Sequence, residues 1–491
     1  MTVDEHHDVV IVGAGLSGIG AARRLRAEFP HKTFVILEAR ATLGGTWNLF
    51  RYPGVRSDSD IFTLSYPFKP WRGPDSIADG RAILDYVAEA ATESGIDRKI
   101  RYHTKVVAAY WNSDTARWTL TLEQTLGTGE TVRRTMTCGF LYACAGYYDY
   151  DRGYTPEFDG LESFTGTVVH PQFWPEELDC SGQRVVIIGS GATAITLTPA
   201  LAGEAAHVTM LQRSPTWIFP VPRRDIVADL LRAGLPRRLA HHLIRAKNIA
   251  MTGGLYWFCR AYPRAAGTVL RALVLLALRD RRAVAEHFTP TYAPWDQRLC
   301  AVVDSDLFTA IRRGAASVVT DRIDSFEPRG VRLRSGRVLD ADIVVTATGL
   351  QMTVFGGIEF RVDGRTVKMA EEFLWQGAMV TGVPNFAAGI GYANAAWTLR
   401  ADLNARVVCR VLRHIERNGG VPVAPKLDGP LGERPFLELS SGYIQRSVAE
   451  FPRQGDRAPW RAVNYVRDSL AIRRTRLARS LDSVVPHKHP N

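Results

Sequence analysis

The chain has 491 residues, 46% of them hydrophobic and 23% charged, a composition that excludes a disordered protein and, at roughly 150 residues per domain, supplies two to four domains. The net charge is +11, but residues 223–282 hold 13 Arg/Lys against 3 Asp and residues 453–491 hold 9 against 3, leaving the rest at −5. That partition excludes a basic body built to bind nucleic acid.

The first residues run straight into an apolar stretch at position 9, leaving no room for a signal peptide. A β-branched strand over 8–12 leads into Gly13-Ala-Gly15-Leu-Ser-Gly18, a helix over 19–28 and a strand over 33–37 that ends at Glu38. A glycine turn between a buried strand and a helix is where backbone N–H groups and the helix dipole cradle a pyrophosphate. Glu38, 20 residues past Gly18, is placed to accept from an adenosine ribose, so this unit is expected to hold FAD. Gly44-Gly45-Thr46-Trp47 follows, with Trp47 expected beside the flavin. Alternating segments between 100 and 138 predict a small β-meander. The runs 139–146 and 342–349 each read as a strand ending in a small-residue turn, passing between domains close to cofactor.

The unit is repeated. A strand over 184–188, Gly189-Ser-Gly191-Ala-Thr193-Ala194, a helix over 195–202 and a strand over 208–212 end at Arg213 and Ser214. An arginine cannot accept from a ribose hydroxyl but matches a 2′-phosphate, so NADPH is expected here. The six cysteines, at positions 138, 144, 180, 259, 300 and 409, form no CxxC pair. Their scatter argues against a metal site, a redox dithiol and a disulfide framework, and for a reducing, cytoplasmic compartment.

Dinucleotide turns are common to reductases, oxidases and monooxygenases and do not choose among them. The stretch Phe164-Thr-Gly166-Thr-Val-Val-His170-Pro-Gln-Phe-Trp174-Pro175 resembles the fingerprint of type I Baeyer-Villiger monooxygenases, in the flavin-containing monooxygenase superfamily. Residues 44–47, 51–58, 294–300 and the block Asn394-Ala-Ala-Trp397 also look like segments of this family, closest to its ethionamide-activating subgroup. The resemblance implies reduction of FAD by NADPH, formation of a C4a-peroxyflavin from O₂, and insertion of one oxygen atom into a ketone to give an ester or lactone. It also implies oxygenation of thioether or thioamide sulfur. Within it, Arg298 is the catalytic guanidinium and Asp58 its orienting partner, with Asp60 as an alternative partner. A structural pairing of Arg298 with Asp296 or Asp304 is the plainer reading. His170 takes a hinge role rather than a chemical one. Gln297 departs from better-studied members, which carry Lys there, and shifts NADPH selectivity onto Arg213 and Ser214. The alternatives are an S- or N-oxygenating flavin monooxygenase without Baeyer-Villiger activity, and a non-catalytic membrane-associated flavoprotein.

The basic stretch 223–282 interleaves Arg/Lys with Leu, Ile, Val and Tyr256-Trp-Phe258. It suits the anionic inner face of a membrane and equally a substrate lid with a wet charged face. The expected fold class is α/β, with two Rossmann-type domains. Residues 1–155 begin the FAD domain, and 156–345 form the NADPH domain with a helical insertion at about 223–290. Residues 346–491 return to the FAD domain and close it with helices over 397–416 and 463–481.

Overall fold

The computed structural model describes residues 5–484; Met1–Asp4 and 485–491 lie outside, and with them the part of the C-terminal basic segment that contains Lys488. The strand His6–Val12 lies between Phe34–Leu37 and Thr131–Ala143, parallel to both. Val9, Val10 and Ile11 are fully buried, as the unbroken β-branched run requires of a strand covered on both faces. The meander is present as Thr104–Asn112, Arg117–Thr125 and Thr131–Ala143. Trp111, Trp118, Phe360 and Phe386 form a buried aromatic cluster on it, with ring centroids 4.8 to 6.4 Å apart. Two returning segments join the same sheet: Glu359–Val362 beside Thr104–Asn112, and Phe386–Ala388 beside Leu141–Ala143.

The second sheet is parallel throughout, in the order Ala316–Thr320, His207–Gln212, Arg184–Ile188, Ile343–Val345, Thr167–Val169. The two expected crossings leave their sheets side by side and pair with each other. Tyr148–Gly153 and Leu350–Met352 run antiparallel, with Leu350 opposite Gly153 and Met352 opposite Tyr148.

Both dinucleotide helices start three residues earlier than periodicity predicts, at Leu16 and Ala192. The third small residue of each turn, Gly18 or Ala194, therefore lies inside the helix. Leu16–Glu28 packs against Trp397–Arg417 and is tied to it by Arg24–Asp402 at 2.6 Å and Arg413–Glu28 at 3.0 Å. The single helix expected over 463–481 is two, Tyr465–Arg474 and Leu477–Ser480, with Leu481 already opening a short strand. The first helix ends at Thr475, whose extended backbone cannot continue it.

The insertion consists of the helices Ile226–Gly234, Arg237–Ala261, Pro263–Leu278 and Arg281–His287. Buried Arg245 fastens it to the FAD-side sheet assembly, donating to the carbonyls of Phe62 (2.9 Å), Thr63 (3.3 Å) and Ser65 (2.9 Å) at the end of the helix Ile61–Leu64. Charge-assisted bonds to orphan helix-terminal carbonyls make this a strong fastening.

Candidate active site

The two turns share one construction. Gly13 has φ +100°, and a Cβ on it would stand 2.7 Å from the carbonyl oxygen of Cys144; Gly189 has φ +149°, and its Cβ would stand 2.3 Å from that of Ala347. Cys144 and Ala347 occupy the same place in the two crossings, each two residues before a glycine of positive φ, Gly146 and Gly349. Each turn is thus forced against its crossing, and only glycine permits both the approach and the dihedral. Gly18 is equally constrained, since a Cβ would lie 1.9 Å from the Gly13 carbonyl oxygen, whereas the second unit accommodates a fully buried Ala194.

Gly15 and Gly191 are the N-caps of their helices, and neither helix has a side-chain cap. The first N–H groups are left for a ligand, as a pyrophosphate requires. Glu38 is buried at the end of Phe34–Leu37, where its Oε2 accepts from Ala14 N at 2.8 Å and its Oε1 from Arg40 N at 3.0 Å. Burial pushes this carboxyl up while those backbone bonds oppose the shift.

A cavity of about 750 Å³ runs from Glu38 and Arg40, over Gly13, Gly15, Gly45 and Thr46, to Trp47, Tyr52, Asp58 and Arg298. Its size lies in the range of cofactor sites. The Glu38 carboxylate, the bare helix N-terminus and the aromatic end come in the order in which FAD would present its adenosine, pyrophosphate and flavin, so the residues fit that cofactor. Trp47 and Trp397 both line it, the latter held by an Nε1 bond of 2.8 Å to Ser17 Oγ. Ala192 and Thr193 of the second turn border the same cavity. Gly189, Gly191, Arg213 and Ser214 lie outside it, with Arg213 and Ser214 exposed beyond the strand His207–Gln212.

At the aromatic end Arg298 Nε lies 3.5 Å from Asp58 Oδ2, and Arg298 Nη2 donates to Ser59 Oγ at 3.3 Å. The alternative partners are committed elsewhere. Asp60 caps Ile61–Leu64, accepting from Thr63 N at 2.8 Å and from Thr63 Oγ1 at 2.6 Å. Asp296 pairs with Arg260 at 2.7 Å and Asp304 with Arg223 at 3.7 Å. Burial disfavours the Arg298 charge, but Asp58 and the phenols of Tyr147, Tyr443 and Tyr148 outweigh it, so the guanidinium pKa is raised and the group stays cationic. These tyrosines went unassigned in the sequence. Tyr147 and Tyr148 could have been noticed in the aromatic run after Gly146, whereas Tyr443 comes from a helix with no local signal.

The fingerprint lies outside the cavity. His170 Nδ1 accepts from Gln172 N at 3.2 Å, which places the proton on Nε2, and this donates to the Gly349 carbonyl at 3.2 Å. Burial lowers its pKa and keeps it neutral. A Cβ on Gly153 would meet the imidazole at 2.2 Å, so the ring is wedged beneath both strands of the connector. Gly166 allows close packing, since its Cβ would stand 2.3 Å from the Asp342 carbonyl oxygen and 2.6 Å from the Phe164 ring. Trp174 packs against the core of the second sheet, while Pro175 is exposed.

Comparison with known proteins agrees with this framework. A family model described as pyridine nucleotide-disulphide oxidoreductase matches residues 7–235. All six cysteines are nevertheless free and buried, and burial pushes each thiol up, away from redox reactivity. The chain is 49% identical over 476 residues to the FAD-containing monooxygenase EthA of Mycobacterium tuberculosis, covering 96% of both chains. It is 44% identical to the probable FAD-binding monooxygenase AlmA of Acinetobacter baylyi, over 96% of this chain and 95% of that one. A structure of oxidized steroid monooxygenase bound to NADP superposes with a TM-score of 0.70 at 26% identity, covering 86% of this chain and 88% of the other. With the glycine turns, the buried Glu38 carboxylate and a near full-length relative in agreement, the chain belongs to the family of FAD-containing monooxygenases.

Proposed function

We propose that the chain uses NADPH and O₂ to insert one oxygen atom into ketones, giving esters or lactones, and that it also oxygenates sulfur in thioethers or thioamides. The observation that carries this reading is the Arg298–Asp58 pair opening onto the same cavity as the FAD cradle, with Thr193 of the second turn beside it. FAD bound there supplies reducing equivalents from NADPH and activates O₂. Arg298 presents a cation that does not titrate, which stabilises negative charge on a substrate oxygen as it develops. Asp58 and Ser59 fix the fork of that guanidinium. Glu38 holds the adenosine end, and the two helix N-termini hold the phosphates. Arg213 and Ser214, exposed at the end of the second unit, meet the 2′-phosphate of NADPH. His170 joins the two crossings and keeps the two nucleotide sites in register. The chain thereby divides into an FAD unit, an NADPH unit with its helical insertion, and a C-terminal return.

The test is NADPH consumption under O₂ with linear ketones, aryl ketones and thioethers, with products identified. Ester formation is expected. Sulfoxides alone, with no ester from any ketone, would place the chain with the S- or N-oxygenating enzymes instead.

A further inference from the structure

The helices of the insertion are apolar on their outer side as well as on the side packed against the body. In Arg237–Ala261 the residues Leu239, Leu243, Ala246, Ala250, Gly253 and Trp257 are all exposed. Their spacings of four and three residues place them in one row, which spans about 27 Å at 1.5 Å per residue. No charged residue interrupts it. The preceding helix Ile226–Gly234 does the same, with Ile226 73% and Leu230 68% exposed. In the following helix Pro263–Leu278, Val269 and Leu276 are exposed at 48% and 74%. The inner side is held to the body by Ala240 and Ile244, Ala266 and Leu270, and Val274 and Leu278 in three core clusters, and by Arg245 on the Phe62–Ser65 carbonyls and Arg232 on the carbonyls of Gly73 and Trp71. A lid with a wet outer face would carry the inner apolar side alone and leave the outer one polar.

Cations frame the apolar rows. Arg237 and Arg238 start the long helix, Arg264 follows its bend, and Arg279, Arg281 and Arg282 stand at the far end, all exposed and none in an ion pair among the described residues. No single helix among the described residues is long and apolar enough to cross a membrane, and the two longer helices meet at a bend of 118°. Apolar rows bordered by unpaired arginines match an interface that is apolar within and anionic at its edge, which is a phospholipid surface.

We infer that the outward face of the insertion, centred on Leu243 and Trp257, docks the enzyme on the surface of an anionic bilayer without spanning it. The inner side of the same long helix carries Tyr256, which lines a cavity of about 150 Å³ together with Trp295 and Tyr392. Tyr392 also lines the large cavity. The docking helix therefore borders, on its inner side, a cavity that shares the wall residue Tyr392 with the one that holds Arg298.

The test is sedimentation of the FAD-loaded full chain with vesicles of phosphatidylglycerol and phosphatidylcholine, or of phosphatidylcholine alone, at about 0.1 M and about 1 M salt. Across that range the screening length falls from about 10 Å to about 3 Å. Binding to the anionic vesicles is expected to exceed binding to neutral ones by about tenfold or more, and to weaken by a similar factor at high salt. The exposed substitutions Leu243→Glu and Trp257→Glu should each reduce it about tenfold, with flavin content and turnover of a water-soluble ketone unchanged. Equal binding to both vesicles, no binding, or binding that survives both substitutions overturns the inference. So does sedimentation without vesicles that both substitutions abolish, because the face would then cover a second copy of the chain.

Discussion

Replacing Arg298 by Ala tests the site most directly. Two unit charges 3.5 Å apart, the Arg298 to Asp58 distance, attract by about 5 kcal/mol at an effective dielectric of 20 and by about 1 kcal/mol in water. The side chains keep 35% and 27% of their surface, so the coupling belongs near the lower end, about 1 to 2 kcal/mol. Losing the cation itself removes a charge aimed at a developing oxyanion, which costs about 10²- to 10³-fold in kcat. Asp58→Ala removes only the orientation of that cation and should cost about tenfold. Because Asp58 acts through Arg298, the double variant should be no worse than Arg298→Ala alone. The assay is steady-state ester formation together with anaerobic flavin reduction by NADPH, and the reduction rate should be unchanged in Arg298→Ala. Ester formation at the normal rate would remove Arg298 from the mechanism. Losses that multiply in the double variant would show that Asp58 acts independently.

Arg213→Ala should raise KM for NADPH by about 10- to 100-fold, the worth of one charge-assisted contact, and leave KM for NADH nearly unchanged; equal changes would refute the 2′-phosphate assignment. His170→Ala breaks the bond to Gly349 while leaving the cavity intact, so product formed per NADPH should fall although flavin reduction persists; unaltered coupling would deny it a role in register. His241 is 8% exposed, and burial, with Arg245, His242 and Arg232 adding repulsion, pushes its imidazole down to about 4. The unfolded chain protonates it near pH 6.5 while the folded chain does not, so stability is present above that pH and falls on acidification by about 3 kcal/mol by pH 4. Thermal melts of His241→Gln should show a shallower acid loss than those of the wild type, and identical slopes would show that His241 titrates normally.

The two dinucleotide units, the meander and the crossings were legible because each is written locally: a β-branched run, a glycine turn and a helical period lie within about 30 residues of one another. The same local chemistry puts forward Glu38, Arg213 and the glycines as candidates without any knowledge of contacts. Element ends were less legible, since the third small residue of each turn sits inside its helix, and at Gly18 the close approach of the Gly13 carbonyl is a tertiary fact. The choice between Asp58 and Asp60 could not be read locally either, because a single residue separates them and only the capping of Ile61–Leu64 removes Asp60 from Arg298. Tyr443 reaches the site through chain closure, and His170 meets Gly153 and Gly349 only because the crossings pair. The charge partition already located the basic segments, yet which face of the insertion turns outward depended on what Arg245 and Arg232 grip beneath it and on which of its apolar residues, Ile244 and Leu270 among them, the core takes up. Sequence determines what is encoded in neighbouring residues, and tertiary structure decides what depends on which distant groups have already taken their partners.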